Sequence, residues 1–231
     1  MKNQKNTFRL ILTAISLSVI VFVSGQSIYA QRYLSEFKDR SESKGIANFG
    51  NDLVAFLTLA QEIDAKPSIV SPRIIAQLES LGKKVQDGTS NFRSNLKGLI
   101  AKFKSDNRWD NDLDNEITET VGSRRAKGFF QRVGGRKILN DTDGVIGSIN
   151  VDVDAIINDA KKLNGSVTFE NSIFMNASFA PTVSARKLRF KCLVLGAAIF
   201  GAEIAKAPKT AENLDAMFDK NGCGAGAGAA T

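Results

Sequence analysis

Apolar residues that recur every three or four positions are the feature that most constrains the fold of this chain. In the first long stretch this spacing is carried by Ile46, Phe49, Leu53, Phe56, Ala60 and Ile63. An α-helix places such residues on one face, which then has to be buried against other elements. The period-two alternation of a half-buried strand is scarce by comparison.

The same spacing predicts a second helical stretch at residues 74–103. Ser71-Pro72 precedes it, and a serine N-cap followed by proline is a typical helix start. Asp87-Gly88 offers a break that would divide this stretch into two helices. A weaker helical pattern covers residues 113–133 and ends at Gly134-Gly135.

The pattern continues towards the C-terminus. Asp141 or Thr142 is suited to cap a further helix, whose apolar positions run through residues 146–163. Residues 169–179 fit either a helix or a strand. The most apolar element of the chain covers residues 184–206.

A short last helix is predicted from Thr210 to Lys220, before the helix stop Asn221-Gly222. Together these elements predict an all-α protein, a bundle of about five to seven amphipathic helices around a central apolar helix. Residues 31–222 form its single helical domain. Residues 223–231 form a Gly/Ala-rich flexible tail.

The N-terminus carries the most specific motif. Basic residues precede an apolar stretch from Leu10 to Val23, and small residues follow it. This three-part pattern is typical of a secretory signal peptide, whereas a membrane anchor needs about 18 or more apolar residues. We expect residues 1–30 to be removed, with cleavage after Gly25 or Ala30. The mature protein is then secreted and extracellular, or periplasmic in a bacterium.

Export gives a meaning to the two cysteines. In an oxidising compartment Cys192 and Cys223 predict one disulfide. The alternative is a pair of free thiols, with Cys192 acting as a small core residue. Three N-x-[ST] sequons, at Asn140, Asn164 and Asn176, are candidate glycosylation sites if the host is a eukaryote.

Several catalytic chemistries are excluded by composition. The sequence contains no histidine, so Ser-His and Cys-His pairs and histidine metal ligands are impossible. Two cysteines are too few for a four-ligand zinc site. Four Ser-x-x-Lys pairs occur in polar stretches, where a lysine stays solvated and protonated. They begin at Ser35, Ser41, Ser80 and Ser94.

Two acidic clusters, at residues 110–116 and 141–154, do not satisfy the calcium-loop pattern. Acids that cap the starts of helices explain both clusters. The sequence therefore predicts no metal, no cofactor and no catalytic residue. An enzyme on this chain would have to use carboxylates alone.

A basic segment occupies residues 123–137 and surrounds Phe129-Phe130. Its cations are Arg124, Arg125, Lys127, Arg132, Arg136 and Lys137. In one interpretation they bind an anionic glycan or a lipid surface. In the other, the phenylalanines face the core and the cations form its solvated rim. Nucleic acid is disfavoured as a partner because the chain is exported.

These features lead to one functional hypothesis and two alternatives. The leading hypothesis is a secreted helical binding or effector protein whose target is a small apolar ligand or a host or cell-surface partner. The first alternative is a membrane-active protein of the helical pore-forming type, in which the uncharged run 192–202 inserts into lipid. The second alternative is a hydrolase that uses carboxylates alone.

Overall fold

The structure, a computed structural model, describes residues 33–167 and 191–223. Within these ranges the chain forms eight α-helices and no strand, which confirms the all-α class. Two short 3-10 helices, Pro67–Ile69 and Ile146–Ser148, connect some of them. The α-helices are α1 Ser41–Ala65, α2 Pro72–Ser105, α3 Asn111–Thr120, α4 Arg124–Val133, α5 Gly135–Val145, α6 Ile149–Val167, α7 Lys191–Ile204 and α8 Pro208–Lys220.

The apolar stripe of α1 and the start of α2 follow the predicted pattern. All six stripe residues of α1 are buried. Ser71 caps α2, since its side chain accepts a hydrogen bond from the Ile74 amide at 3.4 Å, and Pro72 stands at the first helical position. The predicted break at Asp87-Gly88 is wrong, because α2 is one helix of 34 residues that passes through both positions. A Cβ on Gly88 would lie 3.2 Å from Phe49 Cδ2, so this glycine permits close packing against α1.

The stretch predicted as one weak helix at 113–133 is two helices, α3 and α4. Asp110 caps α3 by accepting from the Leu113 amide at 3.1 Å. The chain turns at residues 121–123, and Ser123 caps α4 by accepting from the Ala126 amide at 3.2 Å. This division raises the helix number in the described part above the predicted five to seven.

The helix start predicted at Asp141 or Thr142 is also wrong, because both residues lie inside α5. Gly134 has a φ of +89°, a conformation that favours glycine, and the chain reverses there so that α5 begins at Gly135. Thr142 is fully buried and donates to the Ile138 carbonyl at 2.6 Å. The second acidic cluster therefore does not cap a helix at these positions.

Helix α7 is the most deeply buried element. Every residue from Val194 to Ala202 is buried. The helix contacts α1, α3, α5 and α8. Residues 184–190, which the predicted apolar element also included, lie outside the described ranges.

The C-terminal part packs against α7. Leu214, Met217 and Phe218 of α8, the helix predicted at residues 210–220, are buried. The sulfur atoms of Cys192 and Cys223 lie at bonding distance, with their Cα atoms 5.4 Å apart. Cys223 is fully buried, so the predicted flexible tail at residues 223–231 does not include its first residue. The remaining tail residues, the predicted signal peptide and residues 169–179 lie outside the described ranges.

Candidate functional site

The basic segment folds into α4 and the first turn of α5. Phe129 and Phe130 are 5% and 0% exposed. The Phe129 ring packs edge-on against Phe218 of α8, with centroids 5.4 Å apart. The two phenylalanines therefore belong to the core, as the second interpretation predicted, and they are not presented to an external surface.

Four of the six predicted cations already have acidic partners. Arg136 is the most extensively bound: its side chain lies 2.8 Å from Asp114, and its backbone amide donates to the same carboxylate at 2.7 Å. These hydrogen bonds raise the pKa of the Arg136 guanidinium. The four ion pairs are Arg125–Asp219, Lys127–Glu119, Arg136–Asp114 and Lys137–Asp141.

Arg124 and Arg132 are different, because neither forms an ion pair with any residue that the structure describes. Both are exposed. They stand eight positions apart on α4, which places them on the same face at about 12 Å along the axis. Gly128 lies between them, and a Cβ there would be 3.5 Å from Arg132 Nη1. The Arg132 guanidinium therefore extends back along the helix over Gly128.

We call the strip made by the exposed Arg124 and Arg132 and the half-buried Gly128 between them the α4 face. It presents two uncompensated positive charges with no bulky side chain at the middle position. Such a strip is suited to contact an extended anion, because both guanidinium groups offer several donors in a fixed fork. Arg132 lies in the last turn of α4, where the negative end of the helix dipole stabilises a positive charge.

Three carboxylates face the N-terminal end of α4. Glu203 of α7 accepts a hydrogen bond from the Gly122 amide at 2.9 Å, and Asp219 of α8 pairs with Arg125 at 3.1 Å. Burial raises the pKa of Asp215 to about 6, and the negative charges of Glu203 and Asp219 act in the same direction. A hydrogen bond with Ser123 opposes this shift.

Asp215 is therefore a carboxyl group that exchanges its proton near neutral pH. One oxygen of Asp215 and one of Asp219 are buried without a hydrogen-bond partner in the described part of the chain. A raised pKa is one requirement of a carboxylate-only hydrolase. Asp215 lines neither the depression beside Lys206 nor the one along α6.

A second polar group lies at the end of α2. The Tyr33 hydroxyl donates to Asp106 at 3.1 Å, and the Arg108 guanidinium stands over the Tyr33 ring at 5.1 Å from its centroid. Arg108 also forms an ion pair with the buried Glu116 of α3. Burial and the hydrogen bond to Asp106 raise the pKa of Tyr33, and a hydrogen bond from Lys102 lowers that of Asp106.

Next to this group the surface forms a polar depression with a volume of about 360 Å³. It lies where the start of the described chain, the end of α3 and the end of α7 meet. Its lining residues are Leu34, Ser35, Glu119, Thr120, Ile204 and Lys206. A wider and shallower depression of about 610 Å³ runs along α6 beside Val151, the exposed large apolar residue of the described chain.

The remaining sequence motifs do not converge on a site. Asn140 is exposed within α5, Asn164 lies in α6, and Asn176 lies outside the described ranges. The lysines of the four Ser-x-x-Lys pairs are all exposed. In the second acidic cluster, Asp143 pairs with Arg93 at 2.7 Å. Within residues 33–167 and 191–223, no three acidic or cysteine side chains are grouped closely enough to hold a metal ion.

Sequence reasoning missed Gly128 and Lys206. Gly128 carries no chemical group, and its role depends on where Arg132 lies. Lys206 follows α7 and belongs to no sequence motif, and its distinguishing feature is a positive φ that the sequence does not show.

None of the helices in the described ranges combines the length and the apolar character needed to cross a membrane. Comparisons with protein families, with curated proteins and with solved structures each find no match for this chain.

Proposed function

We propose that this protein is a secreted helical binding protein whose target is an anionic glycan on a host or cell surface. Its scaffold is a bundle of helices around α7. The burial of residues 194–202 supports this arrangement, together with the contacts of α7 with four other helices. The N-terminal signal pattern and the cysteine pair at disulfide distance support export.

The observation that carries the proposal is the α4 face. Arg124 and Arg132 are the two cations of the basic segment that have no acidic partner in the described chain, and both project from one exposed strip. A polyanion that follows the helix axis satisfies both guanidinium groups at once. The cations with acidic partners contribute less, because each would have to give up an existing ion pair.

A glycan fits this surface better than a lipid bilayer. Proteins that lie on a bilayer insert apolar side chains beside their cations. Here Phe129 and Phe130 are buried in the core, and Val133, which follows Arg132, is partly buried and packs against that core. Val151 is exposed, but it lies on α6. The α4 face therefore offers charge without an apolar group that would enter the membrane.

Affinity chromatography of the mature protein on an immobilised sulfated polysaccharide tests the proposal. We expect the double variant Arg124→Gln/Arg132→Gln to elute at a clearly lower salt concentration than the wild type, because fewer counterions are released on binding. The matched control is Lys83→Gln/Lys84→Gln, which removes the same charge from two exposed lysines of α2.

Equal elution of both double variants would mean that net charge alone determines retention, which would contradict a role of the α4 face. Vesicles containing anionic lipid form the second arm of the experiment. If the wild type binds these vesicles and does not bind the polysaccharide, the target is a lipid. If the vesicles leak, the membrane-active alternative is correct.

A further inference from the structure

The polar depression beside α7 contains a lysine at an unusual backbone position. Lys206 follows α7 with a φ of +55°. Its amide donates to the Glu203 carbonyl at 3.1 Å, and the Ala207 amide donates to the Ala202 carbonyl at 2.9 Å. This pair of bonds is the Schellman motif that ends many helices, and the residue with positive φ in it is usually glycine.

Two other helices of this chain end in the same way. After α2 the position with positive φ is Asn107, and after α8 it is Gly222, with φ values of +54° and +69°. Glycine and asparagine are the residues that adopt this conformation most readily. Lys206 is neither of these, so the backbone conformation alone does not account for a lysine at this position.

The surroundings of Lys206 indicate what its side chain does. Its ammonium group forms no ion pair with the residues that the structure describes, and it lines the depression together with Glu119 and Thr120. The Glu119 carboxylate is paired with Lys127 at 3.4 Å. The depression therefore has one uncompensated positive charge beside groups that accept hydrogen bonds.

The other lining residues define the kind of ligand. Thr120 donates its hydroxyl hydrogen to the Glu116 carbonyl at 2.8 Å, so its oxygen remains an acceptor towards the depression. The Glu119 carboxylate is also an acceptor. Leu34 and Ile204 also line the depression but are only 3% and 1% exposed, so they offer a ligand little apolar surface. A complementary ligand has one anionic group and several hydroxyl donors.

We propose that this depression binds a small hydroxylated carboxylate such as a uronic acid. The carboxylate contacts the Lys206 ammonium group, and ligand hydroxyls donate to Glu119 and Thr120. A volume of about 360 Å³ is within the usual range of small-molecule sites. This site is separate from the α4 face, so either proposal can fail without the other.

Isothermal titration of the mature, disulfide-bonded protein with glucuronate and with glucose tests the proposal. We expect glucuronate to bind at least about tenfold more tightly than glucose, and Lys206→Gln to abolish this preference. Lys206→Gly should also abolish it and at the same time raise the melting temperature by roughly 2–4 °C, because glycine fits the positive φ better. The control Lys209→Gln, an exposed lysine at the start of α8, should retain the preference.

Three results would overturn the proposal. The first is that glucuronate and glucose give equal affinities or no heat of binding. The second is that Lys206→Gln retains the preference. The third is that inorganic sulfate competes as well as glucuronate does, since the hydroxyl contacts would then contribute nothing. If Lys206 only complements the dipole of α7, the lysine variants will change the melting temperature and leave all titrations unaltered.

Discussion

Replacement of Gly201 by alanine is the sharpest test of how α7 meets α1. A Cβ placed on Gly201 would lie 2.7 Å from Ile46 Cβ and closer still to Ile46 Cγ2. A different rotamer of Ile46 moves its Cγ2 but leaves its Cβ where the α1 backbone holds it. The clash is therefore relieved only when the two helices move apart.

The net effect follows from two opposing contributions. Alanine is a better helix former than glycine by about 1 kcal/mol, which favours the variant. Overpacking of a core costs typically about 1–3 kcal/mol, and a contact that requires backbone movement belongs at the upper end. We expect Gly201→Ala to lower the free energy of unfolding by about 1–2 kcal/mol. For a chain of this size the melting temperature then falls by roughly 2–8 °C.

Gly196 provides a matched control on the same helix. A Cβ there would lie 3.4 Å from Phe129, 3.5 Å from Ile138 and 3.7 Å from Phe130, which are ordinary contacts. Gly196→Ala should therefore leave stability unchanged or raise it by up to about 1 kcal/mol. Thermal unfolding followed by far-UV circular dichroism measures both variants. Equal shifts for the two, or a more stable Gly201→Ala, would refute the close approach of α1 and α7.

Three further predictions concern charge and the cysteine pair. The pKa of Asp215 in the folded protein, about 6, exceeds its ordinary value of 3.8. Between these two pH values the folded protein therefore binds more protons than the unfolded chain. The free energy of unfolding consequently falls as the pH rises from about 4 to about 6. Asp215→Asn should thus raise the melting temperature at pH 8 but not at pH 4. The corresponding gain in the free energy of unfolding is limited by solvent screening to about 1 kcal/mol. Measuring the melting temperature across this pH range checks the prediction; an identical pH profile for the variant would contradict it. Reduction of the cysteine pair should lower the free energy of unfolding by up to roughly 3–4 kcal/mol, while the helical circular dichroism spectrum persists at low temperature; thiol titration of the native protein must first show no reactive thiols. Arg136→Lys should destabilise the protein in urea denaturation by about 1–2 kcal/mol, because lysine cannot reproduce the two hydrogen bonds that Nε and Nη2 of Arg136 donate to Asp114 Oδ2. Lys137→Gln, which removes an exposed pair within α5, should cost at most about 0.5 kcal/mol. Equal costs for the two variants would contradict a special role of the Arg136–Asp114 contact.

The sequence was sufficient for those features that depend on local spacing. The stripe of α1 and the Ser71-Pro72 start of α2 are local signals, and they predicted the buried face and the helix boundary correctly. The prediction of a break at Asp87-Gly88 was wrong because a glycine in a helical pattern can either end the helix or allow another element to pack closely against it. Here the decisive factor is the neighbouring Phe49 side chain, which is far away in sequence.

The prediction of a helix start at Asp141 or Thr142 was wrong for a related reason. Asp141 and Thr142 have the composition of a helix cap, whereas the cause of the helix start is the positive φ of Gly134. The Thr142 hydroxyl instead lies inside the protein within hydrogen-bond distance of two carbonyl oxygens, those of Ile138 and of Leu193 in α7. Whether a threonine caps a helix or is buried within one depends on the element packed against it.

The candidate sites depend even more on tertiary structure. The six cations of the basic segment were found from the sequence. Four of them have acidic partners, which come partly from α3 and α8, and Arg124 and Arg132 have none in the described chain. Likewise Glu203, one of the two carboxylates that raise the pKa of Asp215, becomes its neighbour only when α7 and α8 pack together. Periodicity shows which face of a helix is buried and does not show which helix covers it.

The packing of α1 against α7 and α8 also sets the order in which the protein is completed. Helix α1 is made before α7 and α8, the two helices that complete its cover in the described chain. Until α7 and α8 have been made, the apolar face of α1 can pack against α2 but lacks its remaining contacts. This part of the core therefore closes only after the intervening helices are already in place.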